Sequence, residues 1–320
     1  MTEIKRLVAD VINGDRRSIA KTITLIENDS AEAQRIIAQL YPHTGKAHLI
    51  GVTGPPGSGK STLIGNLVEK LRNQRRTVGV VAVDPTSPFT GGAFLGDRVR
   101  MQKLSTDKGV FIRSMATRNN PGGVAKATKD AVKVLDAAGK DVIIVETVGA
   151  GQSEVEIIKV AQTIVVVLAP GLGDDIQAIK AGTMEIGDIF VVNKADRENA
   201  EKTATEIWAM LNMNTESQKW TPPVIKTIAI RDEGISDLVD KIDEHRNYLK
   251  TGILDARQRE RIEAELVEAI KLRVAQSIIN ELKEDDEFEK FVHMILEKEM
   301  DPHSAADTIV TKRLKKRGAR

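Results

Sequence analysis

Gly54-Pro55-Pro56-Gly57-Ser58-Gly59-Lys60-Ser61 follows an apolar run, His48 to Val52, and precedes a helix-forming stretch, Thr62 to Gln74. The octet fits the phosphate-binding loop G-x-x-x-x-G-K-[S/T] with no mismatch, and it sits between a strand and a helix as that loop must. Its glycines let the backbone curl so that successive N–H groups point at phosphate oxygens. The N-terminus of the following helix, opened by Thr62, adds its dipole. Lys60 is placed to reach the outer phosphates, and the Ser61 hydroxyl suits Mg²⁺. A glycine-rich turn matching by chance would need neither the strand before it nor the helix after it. The stretch therefore predicts a nucleoside triphosphate site on an α/β fold.

Working outward, short β-rich runs alternate with helical stretches between residues 48 and 250. The runs are His48–Val52, Thr77–Val83, Val110–Ile112, Asp141–Val145, Thr163–Leu168, Asp188–Val192 and Val224–Ile230. Several are unbroken blocks of Val and Ile, as expected of strands covered on both faces, so the pattern predicts a mostly parallel sheet flanked by helices. Ligands of such sheets bind at the C-terminal ends of the strands. Before this region, Ile4, Leu7, Val8, Val11 and Ile12, then Ile19, Ile23, Leu25 and Ile26, recur at helical spacing, broken by Asn13-Gly14. After it the chain is helical and highly charged, with an apolar stripe running from Ile262, Leu266 and Ile270 through Ile278 and Leu282 to Phe288 and Leu296. An arm of this length has little core of its own and is expected to pack on the main domain or on a partner chain. The expected division is an N-terminal helical extension, 1–45, a nucleotide-binding domain, 46–252, and a C-terminal helical arm, 253–320.

The base is read from Asn193-Lys194-Ala195-Asp196, which follows the strand-like run Ile189–Val192. N-K-x-D is the guanine-recognition motif of GTPases. The Asp196 carboxylate accepts from guanine N1–H and N2–H₂, a donor pair that adenine lacks, and an adenine would leave it unpaired at about 1–3 kcal/mol. Lys194 is expected over the base, and Asn193 is expected to tie this loop to the phosphate loop. GTP rather than ATP is the expected nucleotide.

Three further segments end strands. Asp84, in Asp84-Pro85-Thr86-Ser87-Pro88, is placed to hold Mg²⁺ through water or to orient the attacking water, or else it builds a turn. Asp97 lies in Gly91–Arg100, which reads as a switch segment opening a helix. In Glu146-Thr147-Val148-Gly149-Ala150-Gly151-Gln152, the acid at the strand end suits Mg²⁺ through water, and a glycine two or three residues later suits the γ-phosphate. Gln152 is a candidate to orient water, or equally the solvated start of a helix. Arg98, Arg113 and Arg118 are candidate charge stabilisers. Gly171–Gly182, with two glycines and paired acids, reads by physics alone as a loop and helix cap.

Composition narrows the partners. Lys plus Arg number 47 against 46 Asp plus Glu, a net charge of +1, so no bulk field favours nucleic acid or an anionic membrane. There is no cysteine, hence no disulfide and no thiolate metal site, and the five histidines show no ligand spacing. No stretch of eighteen apolar residues occurs. A soluble, cytoplasmic protein is expected.

Taken together, IGVTGPPGSGKSTL, VAVDPTSPFTGGAFLGDRVRM, VETVGAGQSE, GDDIQAIKAG, NKAD and the N-terminal GDRRSIAKTITLIEN resemble the methylmalonyl-CoA mutase-associated GTPases. These are G-protein chaperones of adenosylcobalamin-dependent acyl-CoA mutases, also labelled arginine/ornithine transport ATPases or kinases. The resemblance covers about residues 5–250 and is expected to extend to the C-terminal arm. It implies a G domain of the signal-recognition-particle/MinD/BioD class of P-loop NTPases, GTP/GDP and Mg²⁺ as cofactors, and homodimers built through the C-terminal arm. The role it implies is a gating one, in which GTP hydrolysis couples to adenosylcobalamin delivery to the mutase and to expulsion of damaged cofactor, protecting and reactivating that enzyme. By residue, it implies that Lys60 and Ser61 take phosphate and Mg²⁺, that Asp84, Asp97 and Glu146 form the Mg²⁺-linked acidic group, and that Gly149 reads the γ-phosphate. Asn193, Lys194 and Asp196 would read guanine, and Gly171–Gly182 would report nucleotide state to the mutase. Three other readings compete, one of them a protein-targeting GTPase, which would bring a Met-rich signal-binding or RNA-binding domain that eight scattered Met and a near-neutral charge argue against. A nickel-type metallochaperone GTPase would need a His/Cys site, and an ATP-dependent kinase of a transport system would need to tolerate adenine at Asp196.

Overall fold

The computed structural model describes residues 3–28, 30–84, 104–116, 126–147, 157, 160–171, 185–213, 220–284 and 287–318. Within them the Val/Ile blocks form one seven-stranded sheet. Its strands are β1 (His48–Thr53), β2 (Val78–Asp84), β3 (Val110–Ala116), β4 (Val142–Glu146), β5 (Thr163–Leu168), β6 (Ile189–Asn193) and β7 (Val224–Thr227). All pairs are parallel, in the order β3-β2-β4-β1-β5-β6-β7. Ten α-helices are described: α1 (Glu3–Ile12), α2 (Arg16–Glu27), α3 (Ala31–Leu40), α4 (Lys60–Asn73), α5 (Lys126–Ala137), α6 (Ala200–Met213), α7 (Ile235–Leu249), α8 (Ile253–Glu284), α9 (Glu287–Leu296) and α10 (Pro302–Gly318).

Side chains alternate across each strand, and the two faces bury different helices. Val78, Val80, Ile144, Val165 and Val191 face α4 and α7, joined there by Leu63, Leu67, Leu238 and Ile242. Opposite them, Val81, Val83, Phe111 and Ile143 meet α5 and the N-terminal helices through Leu135, Val11, Ile23 and Ile36. The rest of that second face, Ile164, Val166, Phe190 and Val192, is covered by Ile157, Ala161 and, from α6, Ile207. Each fully buried Val, Ile or Phe contributes about 1.5–3 kcal/mol.

The N-terminal helices are therefore part of the main core. Asp15 caps α2 through the Ser18 N–H at 2.7 Å, and Ser30 caps α3 through Ala33 N–H at 3.2 Å. Their connection into β1 is fixed by the buried Asp136 carboxylate of α5, which accepts from the N–H groups of Gly45, Lys46 and Ala47 at 2.6–3.1 Å.

Five strands match the expected runs to within one residue, and two boundaries differ by more. β3 runs on to Ala116. β7 stops at Thr227 rather than Ile230, because Ala229–Arg231 forms a 3-10 turn and Ile230 is 79% exposed. An alternating apolar run cannot by itself mark where pairing ends.

The chain divides into two units, Met1–Thr251 and Gly252–Arg320. Within the second, Ile278, Leu282 and Ala305 are buried. Arg313 of α10 pairs with Glu281 of α8 at 3.5 Å and Glu287 of α9 at 2.8 Å. Ile262, Leu266, Val267, Ile270 and Leu272 of α8 are exposed. Among the described residues, no helix is long and apolar enough to cross a membrane.

Candidate nucleotide site

β1 lies at the middle of the sheet, between β4 and β5, and its C-terminal end passes through Gly54–Gly59 into α4. Two of the glycines are required there. Gly54 has φ +134°, and a Cβ on it would lie 2.0 Å from Val167 O. Gly59 has φ +94°, and a Cβ would lie 2.3 Å from the Asn193 amide nitrogen. The loop is thus pressed against β5 on one side and the residue ending β6 on the other. The buried Lys60 donates from Nζ to Gly54 O at 2.8 Å and Pro55 O at 3.2 Å, so its amine is folded back over the loop that begins its own helix. Ser61 donates to Glu146 Oε1 at 2.8 Å, which joins the first turn of α4 to the end of β4. Next to Glu146, Thr147 donates from Oγ1 to Thr53 Oγ1 at 2.9 Å and from its N–H to Val52 O at 3.1 Å.

At the end of β6, Asn193 joins three loops. Its Nδ2 donates to Ser58 O at 2.9 Å, and its Oδ1 accepts from Thr227 Oγ1 and Ala229 N–H, each at 3.1 Å. Lys194 has a left-handed φ of 57° and donates from Nζ to Gly57 O at 2.5 Å, which carries its side chain from the Asn193–Asp196 loop to the phosphate loop. Ala195 N–H donates to Thr227 O at 3.0 Å. The Asp196 carboxylate is partly exposed and lies 3.9 Å from Arg231 Nη2.

The described part of the structure thus brings Gly54–Thr62, Glu146, Asn193, Lys194 and Asp196 to one end of the sheet. Asp97, Gly149, Gln152 and the side chain of Asp84 lie outside the described residues, as do Arg98, Arg118 and Leu172–Gly182. Arg113 is described, and it is removed from the candidates for charge stabilisation. Its guanidinium pairs with Glu27 and donates to Thr24 Oγ1 at 3.1 Å, because its position in β3 faces the N-terminal helices. The site also draws on Thr227, Ala229 and Asn66, the last donating from Nδ2 to Ala229 O. They have no motif spacing, and the end of β7 was the one local signal available.

A phosphate-binding loop braced by an N-K-x-D segment is suited to a guanine nucleotide. The model of the methylmalonyl-CoA mutase-associated GTPase MeaB matches residues 19–283. The chain belongs to the MeaB family of GTPases. A Pyrococcus horikoshii protein, PH0274, whose name is that of a GTPase, is 53% identical over 316 residues, covering 98% of this chain and 99% of that one. The Escherichia coli GTPase ArgK is 32% identical over 88% of this chain and 87% of its own. The mouse methylmalonic aciduria type A homolog, a mitochondrial protein, is 34% identical over 80% of this chain and 66% of its own. Among solved structures, an LAO/AO transport system kinase superposes with a TM-score of 0.73 at 23% identity, covering 98% of this chain and 99% of that one, and so shares the fold. Membership of the MeaB family makes this chain a GTPase that binds guanine nucleotide.

Proposed function

We propose that this MeaB-family GTPase binds GTP with Mg²⁺ at the β1–α4 loop and uses its nucleotide state to gate adenosylcobalamin loading of an acyl-CoA mutase. The bonding of Asn193 carries the reading. One side chain holds the phosphate loop, the N-K-x-D loop and the turn after β7 in a single arrangement, so base and phosphate recognition are coupled. The association with methylmalonyl-CoA mutase in the family's name supports the client.

Hydrolysis joins a water oxygen to the γ-phosphorus and breaks its bond to the β–γ bridging oxygen, giving GDP and phosphate. Positioning and charge neutralisation dominate such a transfer. Lys60, now held on two loop carbonyls, exchanges these for phosphate oxygens at the cost of a small side-chain movement. The loop N–H groups and the α4 N-terminus favour the same negative charge. The Ser61 hydroxyl and Glu146 carboxylate, already in contact, are an oxygen donor set that fits Mg²⁺, with Asp84 and Asp97 as further acids. When bound, Mg²⁺ neutralises charge developing on the phosphate oxygens. Gln152, Asp84 or Asp97 would orient the water, and Gly149 would meet the γ-phosphate. Asp196 reads guanine, and Lys194 covers the base once its hold on Gly57 O is exchanged. Gly171–Gly182 would carry the nucleotide state to the mutase. The exposed aliphatic residues of α8 are proposed as the homodimer contact, in a cytoplasmic protein.

The test is Mg²⁺-dependent GTP hydrolysis by the purified protein with and without an adenosylcobalamin-dependent mutase of the same organism, with ATP as control. Acceleration by the mutase is expected, whereas turnover indifferent to it rejects the gating role. Asp196→Asn is expected to shift preference toward xanthosine triphosphate, whose O2 replaces the 2-amino group. An unchanged base preference rejects the assignment of Asp196.

A further inference from the structure

The turn that leads into β3 is held by three cations drawn from separate parts of the chain. Arg16, which opens α2, donates from Nη1 to Asp107 O at 3.0 Å and to Val110 O at 2.8 Å. Its guanidinium also lies 5.9 Å from the centre of the Phe111 ring. Arg72, near the end of α4, donates from Nε and Nη2 to the two carboxylate oxygens of Asp107 at 2.9 and 3.1 Å. A Cβ on Gly109 would lie 2.2 Å from Arg72 Cζ, so the turn is pressed against this guanidinium. Lys140, between α5 and β4, reaches the same turn, with Nζ 3.4 Å from Gly109 O. Asp107 is the one carboxylate of the turn, and it is taken up by Arg72 and by the Gly109 N–H at 2.7 Å. Asp141, next to Lys140 in the chain, accepts at Oδ2 from the Thr77 N–H and hydroxyl at 2.7 and 2.8 Å.

Lys140 is therefore a cation set among cations. A protonated amine has three donors, and the partly buried Nζ has one acceptor among the described residues, at the long limit of a hydrogen bond. Burial, then the charges of Arg16 and Arg72, hold its pKa below the usual lysine range against the weaker pull of Asp107 and Asp141. An uncharged amine is a nucleophile, and each unit by which a pKa falls makes that form about tenfold more abundant. Dissolved CO₂ is an electrophile that such an amine takes up without a further reagent. We propose that Lys140 is a carbamate-forming site, at which CO₂ adds reversibly to Nζ and the product is held by Arg16 and Arg72. The lone pair of Nζ forms the C–N bond, one C=O bond pair moves onto oxygen, and the nitrogen gives a proton to water. The remaining N–H keeps Gly109 O as its acceptor. A repelled cation is thereby replaced by an anion beside two guanidinium groups, so CO₂ should tighten the turn and with it the start of β3. The site lies at the end of the sheet opposite the phosphate loop, and it is independent of the nucleotide assignment.

The experiment equilibrates the full chain with isotopically labelled CO₂ and bicarbonate at constant pH and ionic strength. Carbamates are then trapped with triethyloxonium ion, and the ethylated residues are mapped by mass spectrometry. Lys140 should carry at least about ten times the label of the exposed Lys250. Arg16→Ala should lower the label at Lys140 several-fold, because it removes a guanidinium that faces the carbamate and lets the amine keep its proton. Arg16→Lys, which keeps the charge, should restore most of it. CO₂ should also raise the thermal midpoint of the parent and leave that of Lys140→Arg where it was. A label at Lys140 no greater than at Lys250 would overturn the proposal, as would one that a folded Arg16→Ala leaves undiminished. A midpoint that rises equally in Lys140→Arg would be a general effect of bicarbonate and would overturn the tightening of the turn. Far-ultraviolet circular dichroism controls for the folding of Arg16→Ala; if that variant does not fold, the comparison of Lys140 with Lys250 in the parent decides.

Discussion

The two ends of the same sheet bury polar groups in opposite ways. At the C-terminal end, Lys60, Asn193 and Lys194 donate to backbone carbonyls of a glycine-bearing loop. At the N-terminal end, side chains bond to one another. His48, the first residue of β1, lies 2.8 Å from Thr163 Oγ1 through Nε2, and the same oxygen lies 2.9 Å from His245 Nδ1. His245 Nε2 is 3.2 Å from Asp188 Oδ1, and Asp188 Oδ2 accepts from Ile164 N–H at 2.8 Å. The Trp220 ring centroid lies 4.8 Å from that of His245, with the planes tilted by 57°, and its indole N–H donates to Asp188 O at 2.8 Å. Thr163 Oγ1 sits between the two rings, and the Asp188 carboxylate faces His245 Nε2. The lower chain thus closes on itself and holds four elements together. Beside the side-chain pairs Ser61–Glu146 and Thr227–Asn193, the bonds of Lys60 and Lys194 at the upper end fall on loop carbonyls that a ligand-bound state can release. The contrast teaches that burial of a polar group says little about function until its partners are known.

The largest effect expected at the upper end is that of Lys60→Ala. It should lower GTP turnover about 10²- to 10³-fold while the thermal midpoint shifts little. A collapse of the midpoint alongside activity would remove the distinction between the two ends. Conversely, His245→Ala should cost about 3 kcal/mol in urea unfolding, since it leaves a cavity beside Trp220 and removes one bond of the buried Thr163 hydroxyl. GTP affinity measured well below the transition should stay as it was, and a parallel loss of binding would show the lower chain to be coupled to the site.

Asn193→Ala sharpens the comparison because it touches both properties. It strands the Ala229 N–H and the Thr227 hydroxyl, for about 2 kcal/mol of stability, and it should weaken GTP as well. Measured side by side, a change in only one of the two would show that base and phosphate loops are not braced through this residue.

A further expectation is a pH dependence confined to the lower end. Burial, reinforced by the charge of Arg246 and by His245 and Arg76 against an opposing Asp243, lowers His48 from its ordinary 6.5 to about 3. Its Nδ1 is buried and without a partner among the described residues, so a second ring proton has no acceptor. The unfolded chain binds a proton near 6.5 and the folded one only near 3. This contribution to stability is therefore complete above pH 6.5 and is lost as pH falls toward 3, by up to about 1.4 kcal/mol per unit. Urea midpoints from pH 7.5 down to 5 should fall more steeply for the parent than for His48→Gln, and equal slopes would reject the role of His48.

Much of this architecture is legible in the sequence because strands buried on both faces must be written as blocks of Val and Ile, and all seven blocks are strands. The phosphate loop and N-K-x-D segment are legible for a related reason. Their chemistry depends on consecutive backbone N–H groups and on side chains a few positions apart, so spacing alone carries it. The histidines illustrate the opposite case. His48 and His245 show no ligand spacing, yet Thr163 joins them, since β1 and β5 are neighbours and α7 packs across both. Arg113, a plausible phosphate partner by composition, is drawn to Glu27 because one residue's shift along a strand selects the opposite face.

By itself, then, the sequence determined the sheet, the ends of the strands at which ligands meet it, and the residues of the phosphate and base loops, since each depends on local periodicity or contiguous spacing. Only the tertiary structure decided that Asn193 braces three loops, that Arg231 stands beside Asp196, and that the N-terminal helices belong to the main core. These contacts join residues far apart in the chain. Strand order and helix packing bring them together, and no local pattern encodes either.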